Sequence, residues 1–543
     1  MEANEESRKH SRNEGEEVIQ ANEDMISQLS EPIQLHILSF MSIKDAGRTS
    51  VLSKTWQKVW KSLPVVDLIK FLFPPEKFSF EESEESFTNF CESLSTLCKH
   101  KSIVQCFEIC VPSSACYVTE RLDGCIDLVM RNCVKAFSIQ IRSSLSDPLY
   151  EDRVMYTLPQ SVFATRSLTC LKLIECKLGD ELFVSNTLFP HMRVLYLEDV
   201  CLEEENLQKL LSICPLLEEF TLACNPLFSC NPFNKVTSIH LFNLSRLQKV
   251  KLIDIDKIRI DLPTLETLEI FIGLGLPADV EITNCSNLKV FNLHAPMRLK
   301  PRLEELLSKC PQLETLSLSI SHSPCFKISS KSLRTLHLHD LSKVERVVID
   351  APNLHSYKYM VHGMSIALHS INSTSLKEFM IELNLIKLDL SCLYYLSTIL
   401  AIFSQQQVEV GLTISWAGLL PMQLEKCPVP PTSCINSLKL IYTSSDDFTL
   451  VMDKVLLICH PIKLQVIAQD ERCKQNLKVF WEKLIQRNEN PKCCGDHCTF
   501  TCWQRHLKGA NLVVMAEDLE SHDENVFPPL LSQSFTEFRL EWH

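Results

Sequence analysis

Glycine is scarce in this chain, with 11 residues in 543. No GxGxxG and no phosphate-cradling GxxxxGK(S/T) occurs, so the usual nucleotide sites are absent. Neither GxSxG nor HExxH is found, which lowers the expectation of a serine hydrolase or a zinc protease. No enzymatic activity, cofactor or resident metal is expected. Long basic runs are missing too, and the net charge is -13, which argues against nucleic acid or an anionic membrane as the main partner. The longest apolar run, CLYYLSTILAIF at 392–403, is shorter than the roughly 20 residues that span a bilayer. The opening residues MEANEESRKHSRNEGEE are polar and charged, unlike a secretory signal. The 25 cysteines are scattered, nearly all singly, and read as reduced thiols of a cytoplasmic and/or nuclear protein. The sequons at Asn243, Asn284 and Asn372 are then irrelevant to glycosylation.

What is abundant is apolar residue in a repeating pattern. Hydrophobic residues make up 45% of the chain, ample for a large core. From about residue 100 a hexad of apolar, two others, apolar, one other, apolar recurs. Clear copies begin at 168 (LTCLKL), 192, 217, 247, 265, 288, 313, 333, 354 and 376, with spacings between 18 and 30 residues; looser ones begin at 104 and 134. This period and pattern are those of a leucine-rich repeat. LTCLKLIECKL matches the full template, while several middle copies lose its Asn/Cys position. Between copies lie stretches such as EEENLQKLLSICP and PRLEELLSKCP, expected to be helices ended by proline. No repeat buries its own leucines, so neighbours must stack into a continuous core, with strands on the concave side and helices on the convex side.

Strand side chains alternate, so residues between and beside the last two apolar positions of each hexad face the concave side. These include Tyr196, Glu198, Lys251, Ile253, Glu269, Phe271, Asn292, His294, Ser317, His337, His339, Lys358, Met360, Met380 and Glu382. Exposed apolar residues among polar neighbours mark interaction surfaces. The candidate protein-substrate contacts are Tyr196, Lys251, Ile253, Phe271, His294, His337, His339, Met360 and Met380, with Phe271 and Tyr196 as anchors. Bases on this face are scattered, mainly Lys172, Lys249, Lys251 and Lys358, which gives little support to a clustered small-molecule site.

Beyond about residue 430 the hexad fades. SLKLIYT, KLQVIAQ and ANLVVMA read as strands, and FTLVMDKVLLICH and CKQNLKVFWEKLIQR as amphipathic helices. In CCGDHCTFTCWQRH, residues Cys494, His497, Cys498, Cys502 and His506 offer zinc-type ligands, although the spacing is not that of a known finger. The alternative is a turn leading into the last strand.

Near the N-terminus, DMISQLSEPIQLHILSFMSIKDAGRTSVLSKTWQKVWKSLPVVDL (24–68) is dense in apolar residues. Three short helices are expected, at about 31–41, 44–53 and 54–62. A unit of about 45 residues cannot bury all of that surface alone, so part of it faces a partner or the following repeats. In the motifs MISQL, ILSF, KDAGRTSVLSK and WQKVW the segment resembles the F-box of plant F-box/leucine-rich-repeat proteins. The order of F-box and repeats matches that family, and CWQRHL is similar to a recurrent segment of its tail. One departure is Ser30, where many members carry Pro.

The resemblance implies docking on a Skp-type adaptor and, through it, a cullin scaffold, with Leu29, Ile33, Ile37, Leu38, Val51 and Leu52 as adaptor contacts. Trp56 and Trp60 are expected to pack the third helix into the F-box core and onto the first repeats. It also implies a non-catalytic substrate receptor of a ubiquitin ligase; the alternative is a ligand-sensing receptor with a small-molecule pocket in the solenoid. The expected fold is an α/β solenoid: a disordered tail (1–23), a three-helix F-box (24–68), a linker leading into the repeats (69–99), a curved repeat array (100–429) and an α/β C-terminal cap (430–543).

Overall fold

A computed structural model of the chain describes residues 29–40, 48–49, 51, 53–62, 65–72, 87–92, 94–95, 103–112, 119–132, 134–142, 155–179, 189–224, 236–273, 278–295, 299–300, 302–320, 324–339, 341, 344–362, 368–385, 390–404, 408–416, 432–442, 448–468, 477, 479–480, 482, 484, 503–517 and 534–543. The chain forms two compact units: Met1–Thr221 with Leu227–Lys235, and Leu222–Pro226 with Val236–His543. The expected tail at 1–23 lies outside the described residues.

Each repeat strand follows from its hexad. In TLEIF, VFNLH and TLHLH the alternation puts Leu268, Ile270, Phe291, Leu293, Leu336 and Leu338 on a dry face, all at 0–2% exposure. In the first unit, Val65–Leu72 pairs in parallel with Ile103–Pro112, followed in turn by Ala136–Arg142, Cys170–Ile174 and Val194–Glu198. The apolar VVDLIKFL thus forms a strand that runs across the expected boundary between residues 68 and 69. In the same unit the helix Thr119–Met130, in contact with the short helix Ser161–Ala164, buries Leu122, Cys125, Ile126, Val129 and Met130, a stripe at helical spacing.

In the second unit a parallel ladder begins with Lys249–Ile253, Thr267–Phe271, Val290–Ala295, Thr315–Ile320 and Thr335–His339. It continues through Ser356–His362, Glu378–Leu385, Glu409–Trp416, Ser433–Tyr442 and Cys459–Ala468. Parallel pairing therefore carries on past residue 430, where the hexad is no longer readable. The ladder ends differently. Ser534–Trp542 lies antiparallel to Cys459–Ala468, and Leu507–Glu517 lies antiparallel to Ser534–Trp542 with register shifts at Leu507/Gly509 and Leu512/Val514. CWQRHL does turn into a strand, through a 3-10 turn at Trp503–Arg505, but Ser534–Trp542 follows it as the last one.

The expectation of helices on the side opposite the repeat strands holds for part of the array only. Glu204–Ser212 and Leu303–Ser308 are helices, and each turns three leucines inward. Helices also lie between ladder strands at Thr119–Met130, Leu390–Ser404 and Phe448–Ile458. Within 236–372, however, other return segments are short strands in two further parallel sheets: Ser238–Phe242, Lys257–Asp261, Ala278–Thr283 and Leu299–Lys300 in one, Cys325–Ser329, Arg346–Asp350 and Leu368–Asn372 in the other. The reason is period. EENLQKLLS spaces its leucines for a helix face, whereas KIRID and CFKIS alternate apolar with charged or polar residues, which suits a half-exposed strand. The apolar run near 392–403 is the helix Leu390–Ser404; among the described residues no helix is long and apolar enough to cross a membrane.

Several strands exit through a left-handed residue: Asp199, Asn243, Asp254 and Asn284 have φ of 50, 58, 58 and 50. Asn and Asp tolerate that region because their short polar side chains bond locally. Asp254 also reaches beyond its own turn: its Oδ1 accepts the Gly273 N–H, at the end of the neighbouring strand, at 2.5 Å.

The core of the later repeats is aromatic. Tyr357, Phe379 and Phe403 pack ring on ring, with Phe379 and Phe403 centroids 3.6 Å apart. The Tyr357 hydroxyl meets Nδ1 of His369, tying the ladder to the neighbouring small sheet. His369 is buried, and its Nε2 has no hydrogen-bond partner among the described residues. Burial holds this imidazole down at about 3, so it is neutral in the folded protein. The unfolded chain, with a histidine pKa of about 6.5, takes up a proton that the folded chain refuses, so stability falls as pH drops below that value. Between pH 7 and pH 5 the loss from this residue is about 2 kcal/mol. Urea unfolding at the two pH values, for wild type and His369→Phe, should show the pH-dependent loss shrinking by about that amount in the variant.

Candidate functional site

Two surfaces are candidates, and each lies within one unit. The first is built on the helices Glu31–Ser39 and Lys54–Ser62. Pro32 sits in the first turn, where its missing N–H costs nothing, and the Ser30 carbonyl accepts the N–H groups of Ile33 and Gln34. The second helix starts at Ser53, whose hydroxyl accepts the Trp56 N–H at 3.2 Å. Leu38, Trp56 and Val59 form a buried cluster with Leu35 and Ile37 packed at its edge. Trp56 thus packs into this small core, as expected; the side chain of Trp60 is not among those described.

Of the six residues proposed from the sequence as adaptor contacts, Leu38 is inside that cluster at 2% exposure, and Leu29 and Ile37 are half-buried. Ile33 and Val51 stand out at 49% and 85%. Leu52 and most of the expected helix at 44–53 lie outside the described residues. Phe40, not singled out from the sequence, is 79% exposed, with its ring edge-on to His36. Its signal was available: it is the last residue of the ILSF motif, at the C-terminal cap of the helix.

The second surface is the face of the long ladder opposite its leucines. Register aligns the side chains in rows. One row runs Lys251, Glu269, Asn292, Ser317, His337, Lys358, Met380, Gly411; its neighbour runs Ile253, Phe271, His294, Ser319, His339, Met360, Glu382, Thr413. The ladder therefore brings together all the sequence-proposed substrate residues except Tyr196, which lies in the first unit. All of them are half-buried.

Lys251 pairs with Glu269 at 3.5 Å and lies over the Phe271 ring, 5.3 Å from its centroid. Phe271 in turn borders the His294 ring at 6.3 Å. Lys358 pairs with Glu382 at 2.9 Å. In the first unit Lys172 lies over Tyr196, whose hydroxyl donates to Glu198 at 2.5 Å; burial and that carboxylate push the phenol well above its ordinary range. Ser319, between His294 and His339 in its row, is buried. At Gly411 the flexible Met380 thioether lies across the strand, in the space a Cβ would take. Both Gly411 and Ser319 were missed from the sequence, the first because a lone strand glycine gives no partner.

As for metals, no cluster of three or more suitable ligands occurs among the described residues. Cys494, His497, Cys498 and Cys502 of the zinc alternative lie outside them, and His506 borders the ring of His460 at 5.6 Å.

Comparison with known proteins matches the N-terminal helices and the repeats up to residue 377. A family model described as F-box domain matches residues 26–67. A second, described as FBD-associated F-box protein At5g56370, LRR repeats, matches 122–300 and 293–377. Among relatives in Arabidopsis thaliana, the FBD-associated F-box protein At5g53635 is 29% identical over 45% of this chain and 54% of its own length. The FBD-associated F-box protein At5g27750 is 31% identical over 37% of this chain and 42% of its own. The F-box/FBD/LRR-repeat protein At5g56810 is 29% identical over 62% of this chain and 74% of its own. The chain thus spans about half the length of the first of these relatives.

Burial, the larger cause, and the neighbouring Lys358 charge hold the His337 imidazole below its ordinary value, against an opposing pull from Glu378. His337 should therefore titrate below a free histidine in an NMR pH series. Lys358→Gln should move that titration upward; an unmoved midpoint would mean that burial alone sets it.

Proposed function

Because the chain belongs to the plant F-box/leucine-rich-repeat proteins, we propose that it is the substrate-recognition subunit of a Skp–cullin–F-box ubiquitin ligase. The observation that carries this reading is the F-box match over 26–67, together with apolar side chains left exposed beside its buried Leu38–Trp56–Val59 cluster. In this proposal the F-box is a three-helix module that docks on a Skp-type adaptor and thereby reaches the cullin. Ile33 and Val51 are the apolar contacts it offers, with Leu29, Ile37 and Leu52 beside them. Leu38 holds the docking helix in place from below.

The repeats form a solenoid whose open face holds a protein substrate, and the α/β region after about residue 430 closes its end. The chain breaks and forms no bonds itself. It raises the effective concentration of substrate lysines near the ubiquitin-charged enzyme. The mixture of half-buried apolar groups (Ile253, Phe271, Met360, Met380) with paired charges supports protein recognition. The lysines of this face that meet carboxylates are poorly placed to converge on a small anion. The acidic chain is expected to work in the cytoplasm and/or nucleus, with neither nucleic acid nor membrane as partner.

Ile33→Glu together with Val51→Glu should abolish adaptor binding in a pull-down, while the circular dichroism of the repeats stays unchanged. Phe271→Ala should leave the adaptor bound but weaken substrate capture, by about 2 kcal/mol if it is a hot spot. Full adaptor recovery by the double variant would sink the F-box assignment of these contacts.

A further inference from the structure

In the first unit, the helical residues 87–92 and the helix Thr119–Met130 are bridged twice. Arg121 Nη1 donates to the Thr88 hydroxyl at 2.8 Å. One turn further along each element, the Cys125 thiol donates to the Cys91 sulfur at 2.7 Å. The spacing explains the double bridge, since 88 to 91 and 121 to 125 are each about one helical turn. Both cysteines are free thiols. The two sulfurs are within a small side-chain adjustment of the roughly 2.05 Å of a disulfide bond.

The pair is also reachable. Cys91, Ser95, Arg121, Gly124, Cys125 and Arg131 line an open cavity of about 380 Å³. Gly124 presents open space where a Cβ would stand, which leaves room beside Cys125. Both cysteines line this cavity, Cys91 half-buried and Cys125 buried. Hydrogen bonding from Cys125, and secondarily the Arg121 charge, draw the Cys91 thiol below its ordinary range against the opposing effect of burial. Elsewhere burial works unopposed, pushing Cys214 and Cys310 up to about 12. Thiolate character together with access is what makes one cysteine react before others.

We propose that Cys91 and Cys125 are a peroxide-responsive dithiol, with Cys91 as the attacking sulfur and Cys125 as the resolving one. The Cys91 thiolate attacks a peroxide oxygen; the O–O bond breaks, hydroxide leaves and takes a proton, and Cys91 becomes a sulfenic acid. The Cys125 thiol then attacks that sulfur, the S–O bond breaks, and a second water leaves. In total, two thiols and one hydrogen peroxide give one disulfide and two waters, so no other reductant or oxidant is needed. The product staples residues 87–92 covalently to Thr119–Met130. A thiol reductant reverses it.

The test uses the full chain, purified reduced, exposed to hydrogen peroxide under native conditions, alkylated and mapped by peptide mass spectrometry without reduction. A Cys91–Cys125 linked peptide should form about tenfold faster than oxidation appears at the exposed Cys325 and Cys434, and it should vanish with dithiothreitol. In Cys125→Ser the reaction should stop at a sulfenic acid on Cys91, trapped by dimedone. Arg121→Gln, which keeps both sulfurs, should slow the linkage severalfold. Wild type alone decides the matter if Cys125→Ser does not fold. Recovery of Cys91 and Cys125 as alkylated thiols while Cys325 and Cys434 are oxidised would overturn the proposal, as would linkage of either cysteine to a different partner.

Discussion

A leucine of one repeat is dry only because the next strand lies beside it. Parallel strands sit about 4.8 Å apart, too close for water between their buried side chains, yet a five-residue strand cannot shield its own. Leu336 is fully buried with Leu316 on one side and Tyr357 on the other, in the same register row. The stability of every repeat is therefore borrowed from its neighbours. The strict alternation that permits this leaves the opposite row of side chains free of structural duty, and that freedom is what a recognition surface needs.

On the open face of the second unit, the free rows are not merely solvated. Lys251 is held between a carboxylate and an aromatic ring, and Lys358 is neutralised by the next strand but one away from His337's. Charges paired in this way cost less to cover than lone ones, because a partner need not replace their only counter-ion. Surface ion pairs contribute little stability, at most about 1 kcal/mol, so their value here lies in shaping what can dock. The small helical cluster near the N-terminus follows the opposite logic: its core is only Leu38, Trp56 and Val59 with two edge residues, and apolar groups beside it stay in water.

Much of this was legible in the sequence because the hexad states the burial pattern outright. LETLEI and the Phe271 that follows it give the dry positions Leu268 and Ile270 and the outward ones Glu269 and Phe271 by alternation alone. The return segments were harder. Their lengths allow helix or strand, and only the alternation in KIRID or RVVID separates them from EENLQKLLS. The ladder past residue 430 escaped because SLKLIY keeps the alternation but loses the flanking leucine that marked earlier copies. At the F-box, apolar content marked the segment, but periodicity did not separate Leu38, which faces Trp56, from Ile33, which faces water. Hydrophobicity alone does not distinguish a core from a docking face, since both are written in the same residues.

The antiparallel hairpin at the end of the second unit has a further consequence. Any sheet that grows by adding strands finishes on a row of unpaired N–H and C=O groups, an invitation to a second copy. Leu507–Glu517 carries exposed Leu512 and Val513, which would make a flat edge adhesive. Its register slips twice against Ser534–Trp542, at Leu507/Gly509 and at Leu512/Val514. Such irregularities bend and twist a strand, so that its outer groups no longer present a straight template. A strand irregular in this way is a poorer template for edge-to-edge pairing than a straight one, which suits the place where a long ladder ends.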